Sequence, residues 1–275
     1  MRSFITKSGR IADMDEFALR HLLKNIPVAD IRYRESMAST NDEALTWLEQ
    51  GAPDASLVVT NNQTRGRGRM NRQWFSSSEA TLTFSLILRP NERMKSSIAL
   101  YAPLAGLVVC KALEQHVGLS PQMKWPNDVL LEGKKTAGIL TEAVWDENIC
   151  KGVVVGIGVN IAPVSVPESD FFSLPAISVN EVAGKKIERW QLLYWILDIF
   201  FQEQIKIGSK AFFEQWEQRL AYRGEKVAII PIAGTSFTGK MQGINQNGNL
   251  RVELDDGTTK EITAGDVHLR YDSGN

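Results

Sequence analysis

Apolar positions along the 275-residue chain change period several times, and each change predicts an element. Residues 14–23, Met-Asp-Glu-Phe-Ala-Leu-Arg-His-Leu-Leu, carry one amphipathic helical turn pattern that ends near Pro27. Residues 31–35 read as a strand. Ser39-Thr40-Asn41-Asp42-Glu43 then opens a helix over 42–50, with Thr40 and Glu43 spaced as a capping box and Gly51 and Pro53 as its stop. Strands follow over 57–60 and 81–88, and helical periodicity returns over 97–117 with Gly118 at the C-cap. Residues 122–125 form a strand, and 129–131 with 136–144 bracket Glu132-Gly133-Lys134-Lys135 as a hairpin. Residues 152–161 are a β-branched apolar strand interrupted only by Gly156 and Gly158. Residues 162–180, rich in Pro and Ser, read as a long surface loop, and two helices rich in Trp, Phe, Leu and Ile occupy 189–219.

After Gly224 the pattern shortens. Strands over 226–230, 235–244, 250–254 and 259–262 are separated by Asn247-Gly248 and Asp256-Gly257, both hairpin turn pairs. That spacing predicts a small SH3-like β-barrel. The chain therefore divides into a helical extension (1–30), an α+β domain on a mixed sheet with flanking helices (31–222) and a C-terminal β domain (223–275).

Composition narrows the function classes. Hydrophobic residues make up 43% and charged residues 23%, and the formal net charge is −1, which argues against a surface given over to nucleic acid; any anion binding has to be local. The two cysteines, Cys110 and Cys150, make no disulfide framework and read as small buried hydrophobes in a reducing cytoplasm. The first residues lack a continuous apolar signal region, and the longest apolar stretch, 98–113, is interrupted by Pro103 and Lys111 and falls short of a membrane span. His21, His116 and His268 share no metal-ligand spacing, so no structural metal is expected.

Local chemistry concentrates in a few places. Residues 62–74 read Asn-Gln-Thr-Arg-Gly-Arg-Gly-Arg-Met-Asn-Arg-Gln-Trp, with Arg65, Arg67, Arg69 and Arg72 around Gly66 and Gly68. The glycines admit positive φ and close backbone approach, and the arginine forks suit carboxylate or phosphate. The segment fits a loop closing on a small anion, and equally an RGG-like nucleic-acid contact. In Lys124-Trp125-Pro126-Asn127-Asp128 a lysine ends a strand just before a turn stiffened by proline; a surface lysine beside a core tryptophan reads as well. Gly138, Gly156 and Gly158 inside apolar strands mark close approach by a ligand or by a neighbouring strand, and Gly156-Ile-Gly158 lacks the third glycine of a dinucleotide fingerprint. Exposed N–H groups at the Ser39-Thr40-Asn41 helix start suit an anion. No arrangement suggests a covalent nucleophile, and no Walker loop is present. Cations and backbone donors are the equipment for stabilising charge on a transferring phosphate.

Taken in order, Ser39 to Asn41, Gln63 to Trp74, Lys124 to Asp128, Lys135 to Glu142 and Gly156 to Asn160 resemble the motifs of biotin–protein ligases, and the resemblance runs from about residue 31 to the C-terminus. It implies a catalytic domain like that of class II aminoacyl-tRNA synthetases, with biotin, ATP and Mg²⁺ as reactants and a biotin carboxyl carrier domain as acceptor. It implies that Ser39, Thr40, Asn41 and Gln63 contact biotin's polar ring, with Gly66 and Trp74 in the same pocket. Arg67, Gly68 and Arg69 would fold over biotin and the adenylate phosphate, and Lys124 would neutralise the reacting oxygens, making Lys124, Arg67 and Arg69 the catalytic set. Gly138, Ile139, Leu140, Gly156 and Gly158 would form the walls, and Asn127 and Asn160 would serve ATP and Mg²⁺. Arg65, Asn71 and Ala176 depart from many relatives, Ala176 by lacking an aromatic against adenine. The helix-turn-helix repressor domain of some members is missing, so a cytoplasmic ligase without DNA binding is expected, and a homodimer fits the family. Lipoate–protein ligase is the nearest alternative of the same fold, and a nucleic-acid-binding module the alternative of another class.

Overall fold

Seven strands form one mixed sheet whose two faces carry different chemistry. In the computed structural model, which describes residues 14–90, 97–166, 174–232 and 234–269, β1 (Asp30–Met37) runs parallel to β2 (Ser56–Gln63), and α2 (Thr40–Glu49) connects them. Beyond β2 the pairing is antiparallel through β5 (Thr81–Leu88), β9 (Ile149–Asn160), β8 (Lys134–Asp146), β7 (Asp128–Leu131) and β6 (Gln122–Lys124). Side chains alternate across a strand. Leu82, Phe84 and Leu86 of β5 and Val153, Val155, Ile157 and Val159 of β9 fall on one face and bury against α3 (Tyr101–Ala112) and α5 (Arg189–Gln204). Leu19 of α1 (Glu16–Leu22), with Leu23 and Ile26, joins that core.

The opposite face is covered only in part. Val58, Ile87 and Val154 pack under Ala44, Trp47 and Leu48 of α2. Past the start of α2 the same face presents Thr83, Ser85, Gly138, Gly156 and Gly158, small or polar residues over which a cavity remains. The site thus lies where the sheet's second face loses its apolar side chains.

Several expectations change in detail. Helix α2 begins one residue earlier than a Thr40 capping box would place it: Ser39 is the N-cap, accepting from Asp42 N at 3.4 Å, while Glu43 turns away to Arg32 at 2.9 Å. The β7–β8 turn shrinks to Glu132 and Gly133, both at positive φ (50° and 72°), the geometry of a two-residue hairpin loop. β8 and β9 run longer than their apolar cores because they pair with each other from Ala137 to Asp146. Helical structure over Ser97–Val117 is 21 residues with mean hydropathy 1.5, long and apolar enough to cross a membrane by those measures, yet Leu104, Leu107 and Val108 are buried in the protein core. The segment 162–180 is not wholly a surface loop. Lys135 N donates to Pro175 O at 2.7 Å, Ile177 N donates to Lys135 O at 2.9 Å, and Ser178 caps α4 (Val179–Ala183) in a capping box with Glu181.

After α6 (Lys210–Gln218), five strands make an antiparallel sheet: β10 (Lys226–Pro231), β11 (Phe237–Ile244), β12 (Leu250–Glu253), β13 (Thr259–Ile262) and β14 (Gly265–Leu269), in the order β13-β12-β11-β10-β14. β14, pairing with β10, was not anticipated from the pattern. Its Gly-Asp-Val-His-Leu sequence is too short and polar to announce a strand. This sheet is not an isolated appendage: Val227, Met241 and Leu250 continue the main core, and Trp125 Nε1 donates to Gly248 O at 3.0 Å.

Candidate active site

A cavity of about 750 Å³ opens on the glycine-rich face, within the range of small-molecule sites. Of the residues expected to serve the site, all but Gly66 line it. Its first wall is the start of α2. Thr40 N and Thr40 Oγ1 both donate to Gln63 Oε1, at 2.7 and 3.0 Å. The Ser85 hydroxyl donates to Asn41 Oδ1 at 2.6 Å and lies 2.8 Å from Thr40 Oγ1. Asn41 Nδ2 donates to Leu140 O (3.2 Å) and Glu142 Oε2 (2.8 Å). Thr40, Asn41 and Gln63 are buried, so this network holds their amide and hydroxyl groups in fixed orientations.

The arginine segment forms the roof. β3 (Gly66–Arg67) pairs with β4 (Gln73–Trp74) in a small hairpin, and Gly68 N donates to Arg72 O at 2.7 Å. Positive φ falls on Met70 (54°) and Asn71 (59°), while Gly68 sits at −119°. The positive φ that Gly66 and Gly68 admit is used by neither of them. Gly66 is required for space: a Cβ there would overlap Trp74 O and come within 2.9 Å of Gln63 Nε2. The arginines turn inward. Arg67 holds Glu142 with both terminal nitrogens (3.0 and 2.7 Å) and Asp42 through Nε at 2.7 Å. Arg69 Nη1 donates to Asn127 Oδ1 at 3.1 Å, and Arg72 pairs with Asp266 of β14. Arg65 is exposed and stands apart.

On the floor the glycines make room for side chains of this same chain. A Cβ at Gly158 would overlap the Trp74 indole, one at Gly138 would lie 3.1 Å from Trp74 Cζ3, and one at Gly156 would overlap the Asn41 carboxamide. The close approach that the sequence announced is made by Trp74 and Asn41. Trp74 Nε1 is buried with no hydrogen-bond partner among the described residues. Leu140 faces the cavity, whereas the Ile139 side chain belongs to the core; its backbone exchanges hydrogen bonds with Asn127, whose Nδ2 donates to Ile139 O at 2.8 Å and whose O accepts from Ile139 N at 2.9 Å. With both ends of its carboxamide engaged, Asn127 aims Arg69. Asn160 lies at the rim, buried and opposite Thr81 in the β5–β9 pairing.

Lys124 closes the far side. The cis Trp125–Pro126 bond follows it, Trp125 is buried, and the lysine itself is only 6% exposed, with Nζ 3.9 Å from Asp128 Oδ2. A surface lysine is thereby excluded. Burial lowers its pKa, opposed in part by Asp128 and Asp266. Asp128 in turn pairs with Lys135 at 2.7 Å. Burial pushes the Asp266 carboxyl upward, and Arg72, Lys124 and Arg69 more than reverse this, so it stays below the ordinary carboxylate range. The His268 imidazole is lowered by burial and by Lys124.

The sequence reading missed Arg72, Asp128, Lys135, Thr83, Asp266 and His268 as lining residues. Arg72, Asp128 and Lys135 stood inside the motifs already singled out, and alternation with Ser85 pointed to Thr83. Asp266 and His268 had no local signal, because docking of the C-terminal sheet puts them there.

Residues 33–160 match the biotin/lipoate A/B protein ligase family and residues 224–270 match the biotin protein ligase C-terminal domain. The chain is 33% identical to the bifunctional ligase/repressor BirA of Bacillus subtilis over 96% of its own length and 81% of that protein's. It is also 33% identical to the biotin–[acetyl-CoA-carboxylase] ligase of Paracoccus denitrificans, covering 77% of this chain and 89% of that one. The biotin protein ligase of Aquifex aeolicus, solved with biotin and ATP, superposes with a TM-score of 0.74 at 28% identity over 88% of this chain and 99% of that one. With the sheet domain and the C-terminal sheet each matched and a relative at 33% identity covered over most of both lengths, the chain belongs to the biotin protein ligase family.

Proposed function

We propose that this protein is a biotin–[acetyl-CoA-carboxylase] ligase that works in two steps at the single cavity described above. In the first, a biotin carboxylate oxygen attacks the α-phosphorus of ATP, the α–β phosphoanhydride bond breaks, and biotinyl-5′-AMP and pyrophosphate form. In the second, a lysine ε-amine of a biotin carboxyl carrier domain attacks the acyl carbon, AMP leaves, and an amide remains. One observation carries the reading: Lys124 and the Asn127-held Arg69 converge on the glycine floor, opposite the fixed polar wall of Thr40, Asn41 and Gln63. Two cations held in fixed positions stabilise charge that gathers on carboxylate and phosphate oxygens as the transfer proceeds.

Ser39, Thr40, Asn41 and Gln63 would orient biotin's ureido ring. Trp74, over Gly138 and Gly158, would supply its apolar contact alongside Leu140 and Gly156. Lys124 and Arg69 would carry the reacting charge. Arg67, its fork held by Glu142 and Asp42, fastens the hairpin base, and reaches the adenylate only by exchanging those carboxylates for it. Gly66 lets the hairpin lie close to Gln63 of the wall.

Mg²⁺ fits as the companion of ATP. Among the described residues no group of three or more His, Cys, Asp or Glu converges on a metal position, and Asp128 and Asp266 are each engaged by a cation. Such a donor set suits a Mg²⁺ held mainly by phosphate oxygens and water, with Asn160 adding one protein oxygen. Bound there, the ion would neutralise phosphate charge. ATP and a carrier protein are both at hand in the cytoplasm, which supports a cytoplasmic ligase. The inward set of Arg67, Arg69 and Arg72 favours a small anion over a polymer as the ligand of this hairpin.

ATP–pyrophosphate exchange measured in parallel with biotin and with lipoate tests the proposal. Exchange is expected with biotin alone; absence of biotin-dependent exchange would sink it, and exchange with lipoate alone would move the chain to the lipoate branch.

A further inference from the structure

Lys124 ends a strand of only three residues, β6, which pairs with β7 so that Lys124 lies opposite Asp128. So short a strand fixes little by itself. The residues on either side of Lys124 are each tied a second time. Before it, Met123 N donates to Arg219 O at 2.7 Å and Met123 O accepts from Ala221 N at 2.9 Å, so the segment joining α6 to β10 runs along β6. Arg219 is itself held by Glu114 through two bonds of 2.8 and 2.7 Å. After it, the buried Trp125 donates from Nε1 to Gly248 O at 3.0 Å, in the turn between β11 and β12. That turn is pinned in its own right. Asn245 Oδ1 accepts from Asn247 N and Asn249 N at 2.8 and 3.0 Å, and a Cβ at Gly248 would lie 3.1 Å from both Leu100 Cδ2 and Trp216 Cζ3. Neither Trp125 nor Gly248 lines the cavity.

We infer that Trp125 is a positioning residue for adenylate formation: through its bond to Gly248 it fixes the stretch of chain that carries Lys124, so that the β11–β12 turn sets the place of a charge it does not touch. The inference rests on the ligase reading, in which Lys124 meets the reacting oxygens. A fixed charge helps only where it stands ready at the atoms on which charge develops, and a displacement of about 1 Å can cost about 10²-fold in rate. Met123 is tied through its backbone alone, so no side-chain substitution removes that tie. The Trp125 tie is a side-chain N–H, and it can be removed with the ring kept in place.

Biotin-dependent ATP–pyrophosphate exchange tests this. In Trp125→Phe, kcat should fall about tenfold, the upper end for one neutral hydrogen bond. The KM for biotin and for ATP should stay within about twofold of the parent, the pattern of an interaction that matters in the transition state only. Asn245→Ala loosens the turn from its half-exposed side and keeps Trp125. It should lower kcat about threefold with the same split. Each substitution, added to Lys124→Met, should change the residual rate by less than about twofold, because a group acting through Lys124 then has nothing left to position. A loss of folded protein would lower the rate alike in both backgrounds. Parental kcat in Trp125→Phe would overturn the inference, as would losses that multiply in the Lys124→Met background or that fall on KM. Should Trp125→Phe prove too unstable to assay, Asn245→Ala decides on the same criteria. No exchange in the parent protein would overturn the ligase reading and this inference with it, whereas exchange in the parent at an unchanged rate in the variants would overturn the inference alone.

Discussion

Gly156 and Gly138 both line the cavity floor, and their replacement by alanine should have very different consequences. At Gly156 the new methyl would overlap the Asn41 carboxamide, with Asn41 Cγ only 2.8 Å away. Asn41 is 4% exposed and has no room to retreat. It must leave, and with it go the bonds to Ser85 Oγ, Leu140 O and Glu142 Oε2. At about 1 kcal/mol net per bond the loss is roughly 2–4 kcal/mol. Restricting the unfolded chain by Gly→Ala returns about 0.4–1 kcal/mol. The balance, roughly 1–3 kcal/mol, corresponds to a fall in Tm of about 3–10 °C for a domain of this size. At Gly138 the methyl meets Trp74 Cζ3 at 3.1 Å and Lys135 Cε and Nζ at 3.2 Å, the far ends of side chains that can shift. There the same gain in the unfolded state leaves stability within about 1 kcal/mol of the parent. Thermal unfolding of the two variants side by side, with the KM for biotin as the second readout, decides the matter. Gly156→Ala should lose both stability and biotin affinity, and Gly138→Ala chiefly affinity. Equal Tm values for the two variants would refute the reasoning, because they would show that Asn41 is not locked by its network.

Lys124→Met keeps the buried stem and removes the charge, so adenylate formation should slow about 10²–10³-fold, as for loss of one preorganised charge-stabilising donor. The variant should be no less stable than the parent at neutral pH. Burial lowers the pKa of Lys124 in the folded protein, so between that depressed value and about 10.4 the unfolded chain binds more protons. The penalty Lys124 imposes on folding is thus full below its folded pKa and fades as pH rises through this window, and the stability difference between variant and parent should shrink with it. A large loss of stability at neutral pH would instead make Lys124 a structural residue. Arg69→Ala, which leaves Asn127 without its guanidinium, should release biotinyl-AMP faster while leaving Tm nearly unchanged; unchanged leakage of the adenylate in a chase experiment would remove Arg69 from the reacting end.

Much of this protein is determined by local pattern. The alternation of β9, with Gly156, Gly158 and Asn160 on one phase and Val155, Ile157 and Val159 on the other, fixes which face is core and which is site before any neighbour is known. Asn247-Gly248 and Asp256-Gly257 mark the turns between the C-terminal strands, with Gly248 (φ 78°) and Gly257 (φ 81°) in the left-handed region that glycine adopts at no steric cost. The Arg/Gly segment and Lys124-Trp-Pro-Asn-Asp128 declared their chemistry by composition alone. What those residues touch was not local information. The sequence left open whether the glycines admit a ligand or a neighbouring strand, and the tertiary structure places the Trp74 and Asn41 side chains against them. Gly66 and Gly68 admit positive φ by residue type, yet Met70 and Asn71 are the residues that take it. Arg67 and Arg72 read alike in the chain but answer to Glu142 and Asp266, 75 and 194 residues away. Pattern specifies periodicity, turns and ionisable groups because these depend on adjacent residues; charge pairing and close approach depend on which distant surfaces meet, and only the packed sheet and the docked C-terminal strands determine that.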